Sequence, residues 1–216
     1  MASVEILGLA PSTYTRVVRM VCEEKGIPYE LKSFGPHTPE INAIHPYGKM
    51  PVMRHGDVEI AESKAIATYL DRAFPGPKVI PEEPRAAALT EQWVSIVNTM
   101  MDAPLVRQYL FAYVFPKTAD GKPDRAAIEA VAPKVRETID ILDAAVGKNG
   151  NLAGKDFTFA DINLLPMLFY VRNFPEGKEA IAGSKYMAAY YDRHASRPSF
   201  VATIPPPPQT DRARAN

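Results

Sequence analysis

Cysteine is nearly absent from this chain: Cys22 is the single thiol among 216 residues. One thiol excludes an intramolecular disulfide and is too few for a structural zinc site, so a reducing, cytoplasmic setting is expected. Surplus charge is absent as well. Lys plus Arg and Asp plus Glu each number 25, a formal net charge of zero, which removes the electrostatic reason for a nucleic-acid partner. No apolar run approaches the length that spans a bilayer, and Met1-Ala2-Ser3-Val4-Glu5 has no basic stretch ahead of an apolar core. Neither a membrane span nor an export signal is expected. The four histidines show no ligand spacing, so no metal is expected either.

What is present is an ordered series of periodic segments. Val4-Glu5-Ile6-Leu7-Gly8-Leu9 reads as a short strand, and Val17, Val18, Met20, Val21 and Cys22 recur at helical spacing before Gly26 stops the helix. Cys22 therefore reads as a core residue rather than a nucleophile. Residues 28–34 alternate with period two, completing a βαβ unit with parallel strands. Val52-Met53-Arg54, a turn at His55-Gly56-Asp57, and Val58-Glu59-Ile60 form an antiparallel hairpin, followed by an amphipathic helix from Glu62 to Phe74. The expected fold is an α/β unit of order βαβ-αββα over residues 1–74, with a mixed four-stranded sheet. Residues 75–84, rich in proline, form a linker.

From residue 85 to 200 the pattern is helical, with segments near 85–114, 124–146, 159–172 and 178–196, so an all-α bundle is expected. Pro104, Pro133 and Pro166 lie inside these segments and should bend or interrupt them. Residues 201–216 form a proline-rich tail, read as extended and flexible. Thr158-Phe159-Ala160-Asp161 precedes an apolar run and matches a helix N-terminus in which Thr158 and Asp161 satisfy exposed amides reciprocally.

The stretch His45-Pro46-Tyr47-Gly48-Lys49-Met50-Pro51-Val52 enters a strand through a proline, which leaves backbone groups free at its mouth. Together with Ser12-Thr13-Tyr14-Thr15-Arg16, Glu24-Lys25-Gly26, Glu62-Ser63 and Phe157-Thr158-Phe159-Ala160-Asp161, in this order, it resembles the cytosolic glutathione transferase family, from residue 4 to about residue 200. The resemblance is to a serine-type, phi- or theta-like member of bacterial style. It implies a thioredoxin-like N-terminal domain, an all-helical C-terminal domain, and an enzyme that activates the thiol of glutathione for attack on hydrophobic electrophiles by substitution, addition or peroxide reduction. Two alternatives stay open: a non-catalytic glutathione-binding scaffold, and a dedicated glutathione-dependent isomerase or lyase.

The chemistry explains why these residue types are needed. A free thiol with a pKa of about 8.5 is mostly protonated at neutral pH, and a hydrogen-bond donor aimed at the sulfur raises the thiolate fraction. The resemblance assigns that role to Ser12, with Tyr14 as second choice. It also assigns the ligand's cysteine to the backbone of Met50, before a cis bond to Pro51, and the γ-glutamyl end to Glu62 and Ser63. Lys49 and His37 are assigned to the glycine carboxylate. Arg16 either lends positive potential to the sulfur or pairs with a surface acid. His45 reads as a helix-end residue. The electrophile pocket is expected among Met100, Met101, Tyr109 and Tyr113 of the helical domain, a methionine-rich and aromatic surface. Glutathione as co-substrate, a small hydrophobic electrophile and a homodimer are the implied partners.

Overall fold

A computed structural model describes residues 3–207. The expected tail is therefore covered only in part, and from residue 208 onward it lies outside the described residues. The N-terminal part contains β1 (Val4–Leu7), α1 (Thr13–Lys25), β2 (Tyr29–Lys32), α2 (Pro39–Asn42), β3 (Val52–His55), β4 (Val58–Ala61) and α3 (Ser63–Ala73). The four strands form one mixed sheet in the order β2-β1-β3-β4, with β1 parallel to β2 and antiparallel to β3. This is a thioredoxin-like unit.

Alternation along the strands sorts the side chains. Val4, Ile6 and Met53 enter the main core under α1 and α3, while Leu7 and Val52 face the other way and pack on Ile41 of α2 in a smaller second core. Helix α1 ends on Gly26, whose φ of +65° places it in the left-handed region, and its amide reaches back to Cys22 and Glu23. Cys22 is fully buried, and burial pushes its thiol up to about 12, as its core assignment requires.

The second part is helical: α4 (Pro84–Ile96), which continues through π-wound turns Val97–Met101 and Ala103–Leu110 into α5 (Phe111–Val114), then α6 (Arg125–Asn149), α7 (Phe159–Val171), α8 (Pro175–Ala182), α9 (Met187–Ala195) and α10 (Pro198–Ala202). Three expectations need correction. The helix expected at 178–196 is two helices, broken at Gly183 to Tyr186, and helix continues past residue 200 to Ala202. Pro133 and Pro166 do not interrupt their helices. Pro133 lies on the exposed face of α6, and Pro166 sits in a helix buried along nearly its whole length. Pro104 does coincide with a change of winding.

The two parts share one apolar core, which runs from Val4 through α7 to Phe200. Polar clamps lock the joint. Lys25 donates to Asp71 and to the Pro77 carbonyl, and Asp71 in turn accepts from the amide of Val79 at 2.9 Å. Arg197 grips Glu24 through both Nε and Nη2, at 2.9 and 2.7 Å. The capping box of α7 is present, and Asp161 is completely buried. It accepts from the amides of Leu152 and Thr158 and from the Tyr190 hydroxyl. Burial pushes this carboxyl above the usual carboxylate range, against the pull of those donors.

Candidate active site

The sheet register determines which connections meet. Lys32 pairs with Leu7, Leu7 with Val52, and Val52 with Ala61, so one row of residues crosses all four strands at one end of the sheet. The connections at that row carry the candidate residues in spatial order. His37 follows β2, Ser12 follows β1, Met50-Pro51 precedes β3, and Glu62-Ser63 follows β4. At a strand spacing of about 4.8 Å the row is about 14 Å wide. An extended tripeptide reaches about 10 Å before its terminal groups are counted, a length comparable with that of the row.

Ser12 is the N-cap of α1, with β-region φ and ψ, and its Oγ accepts from the amide of Thr15 at 3.3 Å. A hydroxyl that accepts a hydrogen bond keeps its own hydrogen free and becomes a stronger donor. No acidic side chain sits in the first turn of α1 to compete for its amides or for the helix dipole. Tyr14 is directed elsewhere. Its hydroxyl donates to Asp102 at 3.0 Å, and burial first, then the Asp102 charge, raise its pKa above the ordinary phenol value. The phenol is therefore already committed to an acceptor on the helical part.

Arg16 is fully buried, sandwiched between the rings of Phe169 and Phe200 at 4.5 and 4.7 Å, and donates to the Phe200 carbonyl. Burial lowers its pKa to about 10. It is a cross-domain pin, neither a charge beside the site nor the partner of a surface acid.

The bond between Met50 and Pro51 is cis. Among the described residues, neither the amide nor the carbonyl of Met50 has a hydrogen-bond partner, and its sulfur accepts from the Leu9 amide at 3.4 Å, tying this turn to the β1 end. Glu62 has a φ of +71°, and its side chain caps nothing, so the first amides of α3 have no side-chain acceptor. Ser63 is buried, with no hydrogen bond to its hydroxyl among the described residues. A helix N-terminus of this kind suits a carboxylate, and the exposed carboxylate of Glu62 suits an ammonium group. Lys49 is exposed beside Met50, and His37 is exposed with its amide on the Gly48 carbonyl at 2.8 Å. Gly48 has a φ of +61°, and a Cβ there would lie 2.4 Å from the His37 ring, so glycine is required for the two loops to meet.

His45 carries a contact that helix-end placement does not anticipate. It is buried, its Nδ1 accepts from the Tyr47 amide at 3.0 Å, and its Nε2 lies 3.1 Å from Glu62 Oε1. Because Nδ1 is an acceptor, the ring hydrogen sits on Nε2 and donates to Glu62.

The expected electrophile pocket needs correction. Met101 and Tyr109 are buried in the helical core, and Met100 is exposed. Tyr109 and Tyr113 both donate to Glu176, and Tyr113 stacks on Phe174 at 4.0 Å, so these rings pack against α8. The helical residues that contact α1 through Tyr14 are others. Tyr14 contacts Asp102, Asp102 accepts from Arg107 Nε at 2.9 Å, and the Arg107 guanidinium lies 5.3 Å from the Phe111 ring centre. The π winding puts residues five apart, such as Asp102 and Arg107, on one face where a 3.6-residue period separates them.

Comparison with known proteins follows this geometry. Residues 7–78 match the family model described as glutathione S-transferase, N-terminal domain, and residues 125–193 the one described as glutathione S-transferase, C-terminal domain. The chain is 30% identical to glutathione S-transferase 3 of Zea mays, over 97% of this chain and 99% of that one. It is 32% identical to glutathione S-transferase F10 of Arabidopsis thaliana, over 89% and 91% of the two chains. Among solved structures, a theta class glutathione S-transferase from Xanthomonas axonopodis pv. citri with glutathione bound superposes with a TM-score of 0.79 at 26% identity, covering 94% of this chain and 98% of that one. The curated relatives are plant proteins, so the bacterial style expected at first is not supported.

Proposed function

The chain belongs to the glutathione S-transferase family, and from that premise we propose that Ser12 donates its hydroxyl hydrogen to the sulfur of glutathione, holding the thiolate ready to attack an electrophile. The protein is a glutathione transferase of the serine type. The observation that carries this reading is the state of the Ser12 hydroxyl: its lone pair is taken by the Thr15 amide while its hydrogen is free. Tyr14, the competing hydroxyl, is bound to Asp102.

The order of the sheet connections supports one orientation for the tripeptide. The γ-glutamyl end lies at Glu62 and Ser63, the cysteine between the Met50 backbone and Ser12, and the glycine carboxylate toward Lys49 and His37. The cation at Lys49 and the uncapped start of α3 then meet opposite carboxylates of one ligand. Substitution, addition and peroxide reduction all begin from the same thiolate. A homodimer and a cytoplasmic setting belong to this reading. The first is supported by exposed apolar side chains at Leu89 in α4 and Met100 in the π-wound turn after it, and the second by the absence of any thiol other than buried Cys22. Among the described residues no helix is long and apolar enough to cross a membrane.

Ser12→Ala tests the assignment. Loss of one preorganised donor to a developing anion costs about 100-fold in kcat, and the ultraviolet band of bound thiolate should fade in the same variant. Unchanged turnover at saturating glutathione would remove Ser12 from the mechanism.

A further inference from the structure

The loop that carries Ser12 is held from both parts of the molecule. Residues 8–11 run from the end of β1 to the N-cap of α1 and have few tethers of their own. The Gly8 amide reaches the Lys32 carbonyl at 3.0 Å, the Leu9 amide meets the thioether of Met50, and Pro11 has no amide to give. Among the described residues one hydrogen bond reaches this loop from the helical part: the hydroxyl of Tyr170, at the C-terminal end of α7, donates to the Pro11 carbonyl at 2.6 Å. We propose that Tyr170 is a positioning residue for the thiol chemistry, which aims the Ser12 hydroxyl at the sulfur by holding the Pro11–Ser12 peptide. The proposal rests on the reading of Ser12 as the donor to that sulfur, and adds to it the residue that keeps the donor in line.

The planarity of the peptide carries the argument. The Pro11 carbonyl and the Ser12 amide belong to one rigid unit, and in a trans peptide they point in opposite directions. On one side the Ser12 amide donates to the Leu9 carbonyl at 3.0 Å, and on the other Tyr170 takes the Pro11 carbonyl. The plane is thereby gripped at both edges, which fixes ψ of Pro11 and φ of Ser12 and so the direction in which the serine side chain leaves the backbone. A single hydrogen bond would leave the plane free to swing about it. The other bonds of Ser12, from the Thr15 amide to Oγ and from the Arg16 amide to its carbonyl, tie it to α1 alone.

Tyr170 is itself held. Its neighbour Phe169 lies over the Arg16 guanidinium, which is buried between Phe169 and Phe200, so the end of α7 is pinned to α1 one residue before the phenol. Burial raises the Tyr170 pKa above the ordinary phenol value, against the pull of Arg16, and the hydroxyl stays a donor wherever a thiol titrates near neutrality. Tyr14 cannot take its place, because its hydroxyl is bound to Asp102.

Tyr170→Phe keeps the ring and removes the donor. Water can take the exposed Pro11 carbonyl instead, so the fold should stand while the direction of Ser12 loosens. The ultraviolet band of bound thiolate, followed against pH, should show the thiol of bound glutathione titrating about half a unit higher than in wild type, about threefold in its acid dissociation. Below that pKa kcat should fall about threefold with it, far less than the about 100-fold expected when the donor itself is lost, and KM for glutathione should hold within about twofold. In a Ser12→Ala background the same substitution should change neither the thiol pKa nor kcat, because two residues that act through one interaction are not additive. An unshifted thiol pKa with unchanged kcat in Tyr170→Phe overturns the proposal. So does an equal loss in the wild-type and Ser12→Ala backgrounds, or a rise in KM with kcat held, since each describes a phenol that supports the fold or the ligand without acting through Ser12. Failure of the underlying reading shows separately, as wild-type turnover and an unshifted thiol pKa in Ser12→Ala alone, and it removes this proposal as well.

Discussion

Replacing His45 should weaken glutathione binding while sparing the chemical step. The ring is buried and held by the Tyr47 amide, and it donates to Glu62 at 3.1 Å, whereas the Glu62 side chain is 73% exposed. A hydrogen bond to a charged group is worth about 1.5–3 kcal/mol when buried, but exposed pairs contribute about 0.2–1 kcal/mol. With one partner in water, about 1 kcal/mol is the appropriate scale, and this converts to about a fivefold rise in the dissociation constant. Glu62 has little else to orient it, since its backbone sits at a φ of +71° and its side chain caps nothing. His45→Phe retains the ring volume and removes both nitrogens, and His45→Gln restores a donor near the Nε2 position. Initial rates with glutathione varied at saturating electrophile should show KM raised about fivefold in the Phe variant, kcat within about twofold, and partial recovery in Gln. A glutathione analogue lacking the amino group isolates the contact: wild type should prefer glutathione to this analogue by a larger factor than His45→Phe does. If the preference is the same in both proteins, or if kcat falls while KM holds, His45 does not act through Glu62.

Three further outcomes follow from the fold. His194 is buried beside Asn151, and burial first, then the charges of Arg193 and Arg197, lower its pKa to about 4. Because an unfolded imidazole titrates near 6.5, stability should be full above about pH 6.5 and fall by about 3 kcal/mol toward pH 4, a slope that urea midpoints should show reduced in His194→Gln. Burial alone would raise the Glu24 carboxyl, but hydrogen bonds from Arg197 and Ser199 outweigh it and hold its pKa below the ordinary value. Glu24→Gln should thus cost about 2 kcal/mol at pH 7, and the difference from wild type should vanish as pH falls through the folded-state pKa, where wild type is protonated as well. Asp161→Ala leaves the Leu152 and Thr158 amides and the Tyr190 hydroxyl without their acceptor. At about 1–3 kcal/mol per orphaned buried donor, a loss of about 4 kcal/mol is expected by chemical denaturation, and a loss below about 1 kcal/mol would contradict the assigned network.

The residues proposed for the thiol side stand at turn and cap positions, which is why the sequence could point to them. Ser12 stands where a helix begins, Gly48 where a loop must turn, Pro51 at the mouth of a strand, and Glu62-Ser63 at the next helix start, and these positions act through backbone geometry that short sequence patterns report directly. Hairpin register then brings them to one row, since Val52 pairs with both Leu7 and Ala61. His45 escaped because its partner lies 17 residues away and across the sheet end, where no periodic pattern reaches.

The electrophile side was illegible for a different reason. Side-chain type, which singles out Met100, Met101, Tyr109 and Tyr113, does not tell which face of a helix each occupies, and across Val97–Leu110 the winding is π rather than α. Asp102 and Arg107 come onto one side only under the wider winding, and Arg107 and Phe111 stay together because they are one α turn apart, near the return to α geometry at Phe111. The consequence is an asymmetry in how the two parts of the chain are encoded. On the proposed reading, recognition of the tripeptide is set by strand ends and helix starts of the sheet, whereas the helical face that meets Tyr14 depends on the phase of one irregular helix. A substitution near Pro104 that restored regular α winding would rotate Arg107 off Asp102 and away from the Tyr14 contact while leaving Ser12, Met50 and Ser63 in place.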